Sequence, residues 1–257
     1  MSADAQVRAR VAQFVTTVWD GLGSYRDADI ERFIRAVVPV VLGGQRQVVA
    51  LTDSYLATIA AQTLGGPTRV AGVRLADVTG AALRGVAPTE VYRRPGVDVW
   101  TALSKGKSLV DAVNAGRRRA LNLASTDLQL AKTHTARSIF RKDSRVVGHR
   151  RTLSGSEDCG MCVVASTQRY HKESLQPIHG GCDCGVEPIY GDRDPGQVID
   201  EQTLSEAHGA IQDRFGVSSD GARSALDYRK VLLVREHGEL GPVLTVKGQN
   251  FTGPSDF

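Results

Sequence analysis

The residues best equipped for chemistry in this chain are its four cysteines, and all of them fall between positions 159 and 184. Cys159-Gly160-Met161-Cys162 is a C-x2-C knuckle, in which two thiolates chelate one ion from a tight turn. After nineteen intervening residues comes Cys182-Asp183-Cys184, with His179 before Cys182 and two residues between them. Zinc takes four nitrogen or sulfur ligands in a tetrahedron and brings no redox chemistry of its own. The spacing therefore points to zinc on Cys159, Cys162 and two of His179, Cys182 and Cys184. In an extended C-x-C segment both sulfurs lie on one face and can point inward together. Alternatively, His179 is a ligand and one cysteine only packs. The competing readings are reduced structural thiols and a disulfide. A secreted disulfide framework would spread its cysteines along the chain, and no βαβ pattern supports a thioredoxin-like site. A closed four-ligand site contributes folding energy rather than catalysis.

A second constellation precedes the knuckle. Arg137, Arg141, Lys142, Arg145, Arg150 and Arg151 place six cations in fifteen residues, opposed only by Asp143. Such a run can neutralise several phosphates without reading sequence. Upstream, Arg117, Arg118 and Arg119 are consecutive. On a helix they fan across about 200°, so they cannot all face a core. These nine residues are the candidate nucleic-acid contacts, and the competing reading is solvated or ion-paired surface charge. No base-reading motif accompanies them.

The charge split agrees with this. Residues 1–150 hold 22 Lys and Arg against 12 Asp and Glu, whereas residues 151–257 hold 10 against 16. A basic part and an acidic part suggest a polyanion for one and a different partner for the other.

Enzymatic signatures are missing from the sequence. There is no GxSxG elbow, HExxH, P-loop or GxGxxG. Ser154 or Ser156 with His149 or His179 would be the raw material of a serine protease, but nothing in the pattern selects them. An HNH-type zinc nuclease is the sharper rival, yet no asparagine occurs between Asn122 and Asn250. His149, His171, His208 and His237 read as surface or structural histidines.

The elements that must carry these residues are mostly helical. A helix is predicted over 3–19, ending at Gly21 and Gly23. A second starts near Asp27 as its cap and should kink or break at Pro39 and Gly43-Gly44. A third, 45–64, stops at Gly65-Gly66-Pro67. Residues 68–97 read as short pieces punctuated by Pro88 and Pro95. The clearest helix runs over 108–140, where Val113, Ala120, Ala124, Leu128, Ala131, Thr135 and Ile139 share one face. Its small side chains suit close helix packing, within the chain or against another subunit. Residues 143–190 read as an irregular Cys/His module and 191–200 as a linker. A further helix is predicted over 203–215, with Thr203 or Ser205 near its cap. Another short helix is drawn over 222–228, and strands over 231–235 and 243–247 form a terminal hairpin.

With 257 residues, 41% hydrophobic and 23% charged, the chain can bury one large core or two small ones. Its 5% aromatic content argues against a base-stacking platform. The start does not resemble a signal peptide, and apolar runs such as 37–42 are too short to span a bilayer. The expectation is a soluble protein made in the cytoplasm, with no membrane partner.

Several segments resemble the Mu F-like minor head proteins of tailed phages infecting actinobacteria. They are Tyr92-Arg93-Arg94-Pro95 through Trp100, Leu103-Ser104-Lys105-Gly106, Ala112-Val113 with Arg117 to Arg119, and Thr126 to Ala131. His149-Arg150-Arg151, the Cys159 knuckle running on to Ser166, Gln168-Arg169-Tyr170 and the ending from Glu236 to Leu244 are similar too. The most specific element is Pro177-Ile178-His179-Gly180-Gly181-Cys182-Asp183-Cys184, which is similar to the H-P-x-C-R-C ending of that family. Gly180 and Asp183 stand where the pattern has Pro and Arg, so one basic contact is lost. The resemblance covers about residues 86–252.

It implies head morphogenesis: a multi-copy minor capsid component of the virion at the portal vertex, touching the portal protein, the major capsid protein or packaged DNA. Some similar sequences are labelled capsid maturation proteases, which is the alternative function. The expected fold is mainly α, with a small zinc-stabilised irregular α+β module and a C-terminal β-hairpin. The expected division is a helical domain (1–142), a zinc module (143–190) and a linker with short helices and hairpin (191–257).

Overall fold

The computed structural model describes residues 3–66, 72–153, 160–175 and 184–206, and the strands Leu232–His237 and Gly241–Val246. It is mainly helical, with a small three-stranded antiparallel sheet and a two-stranded one. The chain divides into two compact units, Met1–Ser54 with Val73–Thr135, and Tyr55–Gly72 with Ala136–Phe257.

In the first unit, α1 (Ala3–Asp20) buries Val7, Val11, Val15 and Trp19, a stripe at steps of four that fits the helical repeat. Helix α2 (Asp27–Leu64) is unbroken, so the expected interruption at Pro39 and Gly43-Gly44 does not occur. A proline in a helix interior costs about 3 kcal/mol. Burial of Ile30, Phe33, Ile34, Val37, Val41 and Val48 in the core shared with α1 outweighs that cost. Gly44 is a packing residue: a Cβ there would lie 2.8 Å from Val11 Cγ2 and 3.0 Å from Leu128 Cδ2. Helix α2 ends as expected, with Gly65 at φ 75° donating to the Ala61 carbonyl. By length and composition α2 also passes for a membrane-crossing helix, its most apolar 18-residue window having a mean hydropathy of 1.2. The short run 37–42 does not reveal this; the apolar side chains named above lie in the core.

The prolines of the next stretch open helices rather than only closing them. Helix α3 (Leu75–Val78) is followed by α4 (Pro88–Val91) and α5 (Arg94–Ser104), the latter two with proline in their first turn. Helix α6 (Leu109–Lys142) is capped by Ser108, whose Oγ accepts from the Asp111 amide at 3.1 Å. Ala120, Ala124, Leu128, Ala131, Thr135 and Ile139 are buried as the stripe predicts, while Val113 is half-buried. Polar residues are buried on α6 as well. Asp127 accepts from Arg84 Nε at 2.7 Å and from the Tyr92 hydroxyl at 2.9 Å, all three side chains being shielded from solvent. Burial, then the Asp127 charge, raises the Tyr92 phenol well above its ordinary range.

The second unit holds the sheet. Strands β1 (Val146–Thr152), β2 (Arg169–His171) and β3 (Gly185–Tyr190) are ordered β2-β1-β3, all antiparallel, and α7 (Gly160–Ser166) lies between β1 and β2 in sequence. These strands are regular structure where the sequence reads as irregular. The cause is that β1 buries His149 and Arg151, polar types that break the apolar alternation by which strands are recognised. The region read as linker contains an antiparallel bridge, Gln168 to Val198. The helix expected from Thr203 begins at residue 201, with Asp200 as its cap: the Asp200 carboxylate accepts from the Thr203 amide at 2.9 Å. The continuation of that helix and the short helix at 222–228 lie outside the described residues. Strands β4 (Leu232–His237) and β5 (Gly241–Val246) pair as an antiparallel hairpin, close to the predicted one.

Candidate metal centre

Within the second unit, the β1–β3 ladder and α7 place the two described cysteines in one buried cluster. Thr152 pairs with Gly185 and Arg151 with Val186, so the ladder places the residue just before β3, Cys184, beside the end of β1. Cys184 is 2% exposed and Cys162, on α7, is 3% exposed. The two belong to one small buried cluster with Ala165, against which Tyr170 packs. Arg151 is 5% exposed, and its Nη1 donates to Cys184 Sγ at 3.7 Å. A guanidinium has donors only, so the sulfur must accept.

Of the five residues expected to hold metal, Cys162 and Cys184 are therefore together. Cys159, His179 and Cys182 lie outside the described residues, as do Ser154 and Ser156. Among the described residues there is no group of three or more His, Cys, Asp or Glu side chains that could hold a metal ion. The donor chemistry of the described pair fits a soft-ligand divalent ion: two sulfurs shielded from water, with a cation beside one of them.

His149 adjoins this cluster. It is 1% exposed and stacked between Phe140 and Tyr170, with centroid separations of 6.1 Å and 5.4 Å. Burial, reinforced by the Arg151 charge, pushes its pKa down to about 3. A backbone hydrogen bond to His171 works in the other direction. His149 is a neutral core residue. His171 is exposed, and its Nδ1 accepts from the Glu173 amide at 3.4 Å. Burial raises the Tyr170 phenol to about 12, with Cys184 adding to the shift and Arg151 opposing it.

The nine candidate nucleic-acid residues fall in different settings. In the first unit, Arg117 pairs with Asp20 at 3.1 Å and Arg119 approaches Asp98 at 4.0 Å, while Arg118 is exposed. In the second unit, Arg145 grips Asp143 at 2.7 Å and Arg150 grips Glu187 at 2.5 Å. Arg137 is half-buried, and burial followed by the Arg141 charge lowers its pKa. Arg141 and Lys142 are exposed, Lys142 also donating to the Gly72 carbonyl at 3.1 Å. Arg151 is the buried partner of Cys184. Its structural setting has no signature in sequence, because an arginine in a basic run reads as surface charge.

The fold and the site define a class: a helical protein with a small antiparallel sheet that carries a buried cysteine pair. Comparison with protein-family models, with curated proteins and with solved structures gives no match.

Proposed function

We propose that this chain is a structural minor head protein, acting at the portal vertex of a tailed-phage head, with a zinc-stabilised module on a helical body. Its role is assembly, with no chemical step. The observation that carries the reading is the joint burial of Cys162 and Cys184, twenty-two positions apart in sequence, in a cluster closed to water. Buried thiolates on a closed ion suit a folding clamp, whereas a catalytic metal keeps an open position. The Pro177 to Cys184 motif supports the family assignment, and the excess of cations over 1–150 supports contact with DNA or an acidic portal surface. Cys159 and one of His179 and Cys182 would complete the ligand set.

The test is to purify heads from cells producing the chain and examine them by peptide mass spectrometry and immunogold labelling. The chain is expected in heads, at a single vertex, together with zinc. Its absence from heads overturns the assignment, and loss of major capsid protein processing in a strain lacking it would favour the protease alternative.

A further inference from the structure

We propose that the turn joining α5 to α6 is a docking site for an acidic protein partner, which takes Leu103, Leu109 and Val110 into an apolar recess and sets carboxylates against Lys105 and Lys107. The inference deepens the assembly reading, on which it rests for the existence of a protein partner, by naming the contact surface and the chemistry that fits it.

Leu109 and Val110 are 59% and 69% exposed, the highest values among the large apolar side chains of the described residues, and Leu103 is 40% exposed. They occupy the last turn of α5 and the first turn of α6, which only residues 105–108 separate. Single apolar side chains scattered over a surface are ordinary, but three meeting at one corner mark an interaction site. Local structure does not use them. Helix α5 closes in a Schellman motif: the Lys107 amide donates to the Ala102 carbonyl at 3.1 Å and the Gly106 amide to the Leu103 carbonyl at 2.9 Å, with Gly106 at φ 77°. Helix α6 opens on Ser108 and Asp111, which hydrogen-bond each other side chain to side chain at 2.6 Å. Neither cap calls on the side chains of Leu103, Leu109 or Val110. The first turn of a helix favours acidic residues, yet here it sets two aliphatic ones in water. Capping on both sides also fixes the backbone, so a partner meets a corner that is already ordered.

Charge selects the occupant. Residues 101–110 contain Lys105 and Lys107 and no Asp or Glu, and all but Ala102 are exposed. Neither lysine has a carboxylate partner among the described residues, and the nearest acid in sequence, Asp111, is engaged by Ser108. Apolar anchors flanked by two such cations are complementary to an apolar recess rimmed with carboxylates. DNA offers phosphates but no apolar recess. Membrane-surface anchors draw on exposed aromatic rings, and the nearest one in sequence, Trp100, is half-buried with its indole N–H donated to the Tyr25 carbonyl at 2.8 Å.

The experiment uses the full chain with Val110 replaced by the photo-crosslinker p-benzoylphenylalanine, and with Ala50, exposed on α2, replaced in the same way as the control. Cells producing the chain, and heads purified from them, are irradiated, and the adducts are sequenced by mass spectrometry. Position 110 should join to another protein, at a segment rich in Asp and Glu beside apolar residues. In that background Leu109→Asp should lower the adduct yield at least about tenfold. Lys105→Glu with Lys107→Glu should do the same by setting like charges against each other, while Lys105→Arg with Lys107→Arg should retain the yield. All these positions are exposed, and far-ultraviolet circular dichroism should show the fold unchanged. An adduct confined to a second copy of this chain, to nucleic acid or to lipid overturns the proposal, as does a yield no higher than at Ala50 or one that the charge reversal leaves unchanged. Heads that contain the chain without the adduct overturn the docking site and leave the head assignment standing. A chain absent from heads that still forms the adduct in cells overturns the assignment and supports the docking site.

Discussion

The imidazole of His149 lies nearly parallel to the phenol ring of Tyr170, with 5.4 Å between centroids and 23° between planes. Phe140 covers the opposite face at 6.1 Å. A polar ring has been taken into an aromatic stack, and its Nδ1 has no hydrogen-bond partner among the described residues. Protonation would place a charge between two hydrocarbon faces, next to the Arg151 cation.

Stability should therefore fall on acidification. The folded-state pKa of about 3 lies below the ordinary histidine value of 6.5, so the unfolded chain binds the proton first. The fold keeps its full stability above about pH 6.5 and loses roughly 1.4 kcal/mol for each pH unit below that, down to about pH 3. Asp143, held below the ordinary carboxylate range first by its hydrogen bond from Arg145, adds to the loss only at the acidic end. Urea denaturation at pH 7 and pH 5 should show the slope. His149→Phe should flatten it, and an unchanged slope in that variant would locate the effect elsewhere.

Asp127 anchors residues 84–92 to α6 through Arg84 and Tyr92. Asp127→Ala leaves a buried guanidinium without its carboxylate and should cost about 3–5 kcal/mol. Tyr92→Phe removes one hydrogen bond to a charged group, worth about 1.5–3 kcal/mol. Chemical denaturation of the two single variants and the double variant should give a non-additive cycle.

Neighbouring glycines of α2 should respond with opposite signs. A methyl group on Gly43 would meet only open space, so Gly43→Ala should stabilise the helix by up to about 1 kcal/mol. Gly44→Ala drives a methyl into Val11 and Leu128 and should destabilise by about 1–3 kcal/mol. Thermal melts of the pair decide it, and equal shifts would contradict the packing.

If the basic residues serve phosphate, exposed ones that are not gripping a carboxylate among the described residues should dominate. Arg118→Ala and Arg141→Ala should each lower the log–log salt slope of duplex DNA binding by up to about 0.9. Arg145→Ala and Arg150→Ala should change it less, because Asp143 and Glu187 already hold those side chains. Fluorescence anisotropy across a salt series measures this, and equal effects at all four positions would refute the distinction.

The long helices were legible because their signals are local. The repeat from Ala120 to Ile139, the stop at Gly65-Gly66 and the hairpin near the C-terminus need only neighbouring residues to be recognised. The cysteine spacing likewise named Cys162 and Cys184 as candidates, though it could not say that they share a buried cluster. What the residue order could not disclose depends on partners distant along the chain. Gly44 reads as a breaker until Val11 and Leu128 are seen against it, and Pro39 reads as an interruption until the burial along α2 is known. His149 reads as either surface or structural, and Arg151 as surface charge, until β1 pairs with β2 and β3 and takes both out of water. Propensity and periodicity are properties of a segment, whereas burial of a polar side chain is decided by whichever distant groups compensate it, and only the folded chain brings those groups together.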